Sequence, residues 1–251
     1  MGLLDGKVAI VTGAGQGVGR GIALALAREG AAVALIGRTL EKCVRTLGEI
    51  EAAGGRGLAY ACNVGHRDQV EATVGEIVTA LGGVDVLVNN AHTSRPMVPF
   101  EEVTDKDIAV AMQGFHGAFF FMQACFEQLK ARKGKVFNLG SSAGIRGDAG
   151  FTSYAAGKEA VRAISRVAAR EWGVHGITVN VVCPFSDSPG IAYMIENVPG
   201  FIDGLTAETS LKRLGSSELD VGRTVAFLAS DGGSYITGQT INVDGGMVIV
   251  P

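Results

Sequence analysis

The chain has 251 residues, of which 47% are hydrophobic and 19% are charged, so a disordered chain is excluded. The formal net charge is -3 and no basic run occurs, which argues against a nucleic-acid partner. No apolar stretch approaches the ~20 residues that span a bilayer, and the N-terminus lacks a signal-peptide pattern. We therefore expect a cytoplasmic protein without a membrane partner. None of the four cysteines has metal-ligand spacing, so we predict buried thiols and no metal site.

Short β-branched runs alternate with longer helical stretches along the chain. The pattern predicts strands at 7–11, 31–36, 57–61, 84–90, 135–139, 177–182 and 239–244. It predicts helices at about 17–29, 40–53, 67–81, 104–130, 152–173 and 217–229. Strands that alternate with helices indicate βαβ units and a parallel sheet covered on both faces. No linker interrupts the series, so we predict one α/β domain over residues 1–251.

Residues 183–215 form a long segment for which the pattern predicts no regular structure. Such a length is unusual for a simple connection between elements, and the segment is rich in apolar side chains. We interpret residues at about 185–215 as a lid over an apolar substrate. The alternative is a helical insertion that packs on a neighbouring subunit.

A glycine-rich turn follows the first predicted strand and precedes the first predicted helix. Its sequence is Thr12-Gly13-Ala14-Gly15-Gln16-Gly17-Val18-Gly19. Glycines let a pyrophosphate approach the backbone, and the following helix offers free N–H groups and a positive dipole end. The spacing differs from the strict G-x-G-x-x-G fingerprint, but its position in a βαβ series favours a dinucleotide.

The end of the second strand predicts which dinucleotide binds. No Asp or Glu occurs at Ile36-Gly37-Arg38-Thr39 to bind a ribose diol, whereas Arg38 can pair with a 2′-phosphate. We therefore expect NADP(H) in preference to NAD(H). The alternative is a solvated Arg38 that lies across the adenine, and Gln16 adds no second positive charge in the loop.

Tyr154 and Lys158 lie four residues apart, so on a helix both project from one face. A nearby ammonium stabilises a phenolate, lowers the tyrosine pKa and makes the phenol usable for moving a proton. Ser141 can hydrogen-bond the same substrate oxygen.

Together these residues resemble the short-chain dehydrogenase/reductase family over essentially the whole chain. The motifs that carry the resemblance are Thr12-Gly13-x-x-x-Gly17-x-Gly19, Asn89-Asn90-Ala91, Ser141, Tyr154-x-x-x-Lys158, Cys183-Pro184 and the tail GQTINVDGG at 238–246. The resemblance implies a single-domain Rossmann fold, a doubly wound seven-stranded parallel sheet of order 3-2-1-4-5-6-7. It also implies a homotetramer or homodimer.

The resemblance implies a role for each matched residue. Tyr154 would be the general acid/base, Ser141 would orient the substrate oxygen, and Lys158 would lower the Tyr154 pKa and hold the nicotinamide ribose. The cofactor site would comprise Gly13, Gln16, Gly17, Val18, Gly19, Arg38, Asn63, Val64, Asn90, Ala91, Tyr154, Lys158, Pro184 and Ser188. The substrate would contact His92, Ser142, Phe185, Tyr193 and Met194.

Several positions depart from the family pattern. His92 stands in place of the glycine after Asn-Asn-Ala, and Gly114 stands in place of an Asn that supports a water linked to the lysine. Asn63 replaces an Asp, and Pro184-Phe185 replaces Pro-Gly. We consider two roles for His92: a proton relay or substrate contact that compensates for Gly114, or a side chain that fills space.

The sequence predicts an NAD(P)-dependent oxidoreductase that interconverts a mainly apolar secondary alcohol and its ketone. The main alternative is a dinucleotide-binding sensor or pseudoenzyme, because Gly114 and His92 suggest a degraded site. A further alternative is elimination chemistry of the halohydrin-dehalogenase type, but those relatives carry Arg where this chain has Lys158 and lack the glycine turn.

Overall fold

The computed structural model describes residues 2–95, 97–198 and 200–249. The strands are β1 Val8–Thr12, β2 Ala32–Gly37, β3 Arg56–Ala61, β4 Val86–Asn89, β5 Lys135–Leu139, β6 Thr178–Pro184 and β7 Thr240–Val243. The α-helices are α1 Gly17–Arg28, α2 Leu40–Ala52, α3 Arg67–Leu81, α4 Asp105–Arg132, α5 Ser142–Arg146, α6 Thr152–Trp172, α7 Pro189–Asn197, α8 Phe201–Glu208 and α9 Arg223–Ala229.

The seven strands form one parallel sheet of order β3-β2-β1-β4-β5-β6-β7, which confirms the predicted fold class. Successive side chains of a strand point to opposite faces, so each strand contributes to two cores. Val11 packs with residues of α1 and α9 on one face, whereas Ile10 packs with α3, α4 and α6 on the other. Helices therefore cover both faces, and the carboxyl ends of the strands meet at one edge.

A buried carboxylate connects several elements at the opposite edge of the sheet, where the strands begin. Asp85, which is 5% exposed, accepts hydrogen bonds from Val8 N at 2.9 Å and from Arg132 Nη1 at 3.0 Å. Lys7 forms a longer ion pair with the same carboxylate, at 3.4 Å. This carboxylate links the start of β1, the start of β4 and the end of α4.

Helix α4 begins with a capping box, in which Thr104 and Asp107 satisfy each other's backbone N–H groups. Within the described residues, α4 alone is long and apolar enough to cross a membrane, judged by length and composition. Core helices pass the same test, and Phe121, Met122 and Cys125 of α4 are buried in the second core. All four cysteines are free and buried, as predicted.

The structure differs from the prediction in the segment 183–215, which contains α7 and α8. Ser188 caps α7 by accepting a hydrogen bond from Ile191 N at 3.2 Å, and Pro189 stands in its first turn. Each helix is too short to produce a readable periodicity. The helix predicted at 217–229 instead begins with a π-helical turn, Ser217–Gly222, followed by α9.

Candidate active site

A cavity of about 440 Å³ lies at the carboxyl ends of β1 to β4. Open α/β sheets bind ligands at this edge, where the strand order reverses between β1 and β4. Its lining includes twelve of the predicted cofactor residues: Gly13, Gln16, Gly17, Val18, Arg38, Asn63, Val64, Asn90, Ala91, Tyr154, Lys158 and Ser188. The cavity therefore connects the glycine turn with the Tyr154–Lys158 pair.

The glycine turn has a backbone conformation that requires glycine and is tied to the end of β4. Gly13 has φ 67° and Gly17 has φ 54°, both in the left-handed region that favours glycine. Thr12 Oγ1 accepts hydrogen bonds from Asn90 N at 2.9 Å and Ala91 N at 3.0 Å, which joins the ends of β1 and β4. Gly19 does not line the cavity but packs against the turn, where a Cβ would overlap the Gly13 carbonyl. The turn and the α1 N-terminus together fit a pyrophosphate.

The distant end of the cavity carries two positive charges. Arg38 extends from the end of β2, and Lys42 lies in the first turn of α2. Lys42 Nζ donates a hydrogen bond to Gln16 Oε1 at 2.6 Å, which brings its charge to the glycine turn. No carboxylate lines the described part of the cavity. The sequence analysis missed Lys42, because its approach to the glycine turn depends on how α2 packs.

Ser141, Tyr154 and Lys158 come together at the other end. Ser141 follows β5 and caps α5 by accepting a hydrogen bond from Ala143 N at 3.2 Å. Lys158, 7% exposed, donates to Leu139 O at 2.8 Å, and its Nζ lies 5.7 Å from the Tyr154 ring centroid. Ser141 itself does not appear in the cavity lining.

Burial controls the charges of this group. Burial raises the pKa of Tyr154, and the neighbouring Ser141 hydroxyl partly offsets that effect. Burial also lowers the pKa of Lys158 to about 8. The sequence analysis expected Lys158 to lower the Tyr154 pKa, but burial dominates and raises it. A protonated phenol next to a largely protonated lysine is the form suited to donating a proton.

His92 lies against the same group. Its ring is nearly perpendicular to that of Tyr154, at 85°, with the centroids 5.0 Å apart. A Cβ on Gly114 would lie 2.5 Å from His92 Nδ1, so the imidazole occupies the space beside that glycine. Burial, and secondarily the charge of Lys158, lowers the pKa of His92 to about 3, so the ring is neutral at physiological pH. His92 Nε2 is buried without a hydrogen-bond partner in the described part of the chain.

The remaining predicted site residues lie apart from this cavity. Pro184 and Ser142 do not line it, and Phe185 lines a second cavity that Leu211, Phe227 and Val243 also bound. Tyr193 and Met194 lie on α7, where Tyr193 is 62% exposed and neither reaches the cavity lining. Lining residues that the sequence analysis missed include Thr93, Gln113 and Pro189.

Comparisons with known proteins agree with this geometry. The family profile described as "Enoyl-(Acyl carrier protein) reductase" matches residues 13–248. A short-chain dehydrogenase from Burkholderia cenocepacia, solved in complex with NADP, superposes with a TM-score of 0.88 at 32% identity. That alignment covers 97% of this chain and 98% of the other.

The chain belongs to the short-chain dehydrogenase/reductase family. A 12alpha-hydroxysteroid dehydrogenase from Clostridium sp. is 37% identical over 255 residues, covering 98% of each chain. A 3-oxoacyl-[acyl-carrier-protein] reductase from Staphylococcus epidermidis is 38% identical over 248 residues, covering 96% of this chain and 98% of its own. This short-chain dehydrogenase/reductase is therefore an oxidoreductase by family, and the predicted resemblance is confirmed.

Proposed function

We propose that this protein interconverts an apolar secondary alcohol and its ketone, with a nicotinamide dinucleotide as the hydride carrier. The observation that carries the proposal is the pair of Tyr154 and Lys158, with Ser141 beside Tyr154, at one end of a cavity whose other end fits a dinucleotide. When bound, the dinucleotide supplies or accepts the hydride. The protein's own residues then have to orient the substrate oxygen and move one proton.

In the reductive direction, Ser141 and Tyr154 hold the carbonyl oxygen of the substrate. The raised pKa of Tyr154 keeps its phenol protonated, so it can donate that proton as the carbonyl carbon accepts hydride. The ammonium of Lys158 then stabilises the phenolate and returns a proton to it. In the oxidative direction the same groups act in reverse, with Tyr154 accepting the proton of the alcohol.

We further propose NADP(H) as the preferred cofactor. Arg38 and Lys42 provide two cations at the far end of the cavity, and a 2′-phosphate is the part of NADP(H) that such a pair would bind. A carboxylate that would bind an unphosphorylated ribose is absent from the described lining. The related short-chain dehydrogenase solved with NADP supports the same choice.

The surface helices α7 and α8 form the proposed lid. None of their described residues is buried, and Ile195 is 41% exposed. The base of the lid is anchored where Ser186 and Ser217 share a hydrogen bond of 3.0 Å, and Arg146 pairs with Glu208 at its far side. Such apolar helices would cover an aliphatic, alicyclic or steroid substrate. The hydroxysteroid relative supports a substrate of this class.

Replacing Tyr154 with Phe tests the proposed function. Because only the phenolic oxygen is lost, kcat should decrease by about 10²–10⁴-fold while the dinucleotide Kd is unchanged. Tyr235→Phe is the matched control, since Tyr235 is fully exposed, and it should retain wild-type turnover. Ketones and alcohols are screened with both cofactors by NAD(P)H absorbance. Wild-type turnover in Tyr154→Phe would refute the mechanism, and cofactor binding without turnover of any substrate would favour the sensor alternative.

A further inference from the structure

We propose that His92 is a positioning residue that carries protons between water in the cavity and the Tyr154–Lys158 pair, from a slot beside Gly114 and Gly157 that its ring fills. The proposal rests on the proposed function of Tyr154, because a relay has a role only if that phenol exchanges a proton in each turnover.

The slot is formed by two glycines in the interiors of long helices. A Cβ on Gly114 of α4 would lie 2.5 Å from His92 Nδ1, and a Cβ on Gly157 of α6 would lie 3.3 Å from His92 Cε1. The Gly157 position also faces Ala111 O at 3.0 Å, so it serves helix packing as well. Each interior glycine costs a helix about 1 kcal/mol relative to alanine. This cost is explained if the ring needs the space.

The chemistry of the ring goes beyond filling that space. An apolar side chain would fill the slot without leaving a buried nitrogen unpaired, yet His92 Nε2 is buried with no partner among the described residues. The ionisable groups that face the ring are Tyr154 and Lys158 of α6, whereas α4 presents Gly114 to it. A neutral imidazole has one N–H donor and one acceptor nitrogen, so it can take a proton at one side and release one at the other.

The proposed transfer is balanced in protons and involves no oxidation or reduction of the ring. After Tyr154 has donated its proton to the substrate oxygen, Lys158 returns one to the phenolate. The resulting neutral amine takes the N–H proton of His92, directly or through one water, while the other ring nitrogen takes a proton from solvent. One solvent proton enters per reduction, and the ring stays neutral in its other tautomer until it exchanges with water.

Two variants separate a relay from a space-filling role. His92→Phe keeps an aromatic ring but removes both nitrogens, so kcat should decrease by about 10-fold or more, with the KM for the dinucleotide within about twofold of wild type. His116→Phe is the matched control on the exposed side of α4 and should leave both constants unchanged. A kcat for His92→Phe within about twofold of wild type would overturn the proposal.

Chemical rescue gives a readout that does not depend on how well the phenylalanine is accommodated. In His92→Ala, added imidazole should restore several-fold of the lost kcat, because it can both accept and donate a proton. Neutral N-methylimidazole has no N–H and should fail to restore it, so the two compounds are compared at about pH 8, where imidazole rings are mainly unprotonated. Equal rescue by the two compounds, or rescue by neither, would refute the relay. If Tyr154→Phe abolishes turnover while the His92 variants behave as wild type, only the relay fails and the proposed function stands.

Discussion

The contact between His92 and Gly114 predicts an interaction that stability measurements can detect. In Gly114→Ala, the new Cβ would lie 2.5 Å from His92 Nδ1 and 3.3 Å from Ala91 O. An ordinary contact is 3.4–4 Å, so the imidazole would have to move by about 1 Å. Overpacking of this kind costs about 1–3 kcal/mol, whereas alanine gains about 1 kcal/mol over glycine in a helix interior. We therefore expect Gly114→Ala to destabilise the wild-type background by up to about 2 kcal/mol.

The sign should reverse once the ring is removed. In the His92→Ala background the clash is absent, so Gly114→Ala should raise the free energy of unfolding by about 1 kcal/mol. Urea unfolding is measured for wild type, the two single variants and the double variant. We expect a coupling energy of about 1–3 kcal/mol between the two positions. Gly75→Ala on α3, where a Cβ meets nothing within 4 Å, should stabilise both backgrounds equally. If the effects of Gly114→Ala and His92→Ala on the free energy of unfolding add to within about 0.5 kcal/mol, the steric contact is refuted.

Three further predictions follow from the described contacts. Burial lowers the Lys158 pKa from 10.5 to about 8. The charged lysine therefore lowers the free energy of unfolding by its full amount below pH 8, and this effect disappears by pH 10.5. Lys158→Met should therefore abolish turnover yet stabilise the cofactor-free protein by about 1–3 kcal/mol at pH 7, and less at pH 10, in urea unfolding. Arg38→Ala and Lys42→Ala should each raise the KM for NADPH about 10-fold or more and leave that for NADH within about twofold, and equal effects would contradict a 2′-phosphate site. Asp85→Ala should lower the free energy of unfolding by about 2–4 kcal/mol, because the buried Val8 N–H loses its acceptor and Arg132 loses its ion pair, with kcat unchanged in the folded fraction.

The sequence predicted those parts of the molecule that depend on local spacing. Seven strands were expected and seven form the sheet, because β-branched runs bounded by turns need no tertiary information to be recognised. The order of the strands came from the family resemblance. The two short helices of the lid were not predicted, since nine and eight residues give too few turns for a periodicity to emerge. Helix α7 starts at the Ser188 cap, which the apolar pattern does not reveal.

The pKa values of the site residues were harder to predict from the sequence than their positions in the fold. The four-residue spacing of Tyr154 and Lys158 correctly predicted that both lie on one helix, α6. The spacing gave no information on how deeply the two side chains are buried. Burial decides their protonation, because it raises the Tyr154 pKa and lowers that of Lys158. Lys42 was missed for a related reason. Its approach to Gln16 joins α2 to the glycine turn, and such a contact follows from the packing of two elements.

His92 and Gly114 show why two separate departures from a motif have to be judged in space. In the sequence they stand 22 positions apart, and together they suggested a degraded site. In the structure the imidazole fills the space that a side chain at position 114 would take, so the two changes compensate sterically. The ring lies beside Tyr154 and also contacts the position of Gly157, so the change at position 92 is accommodated by both helices. The pair of departures is therefore one local packing arrangement, and the two residues have to be tested together.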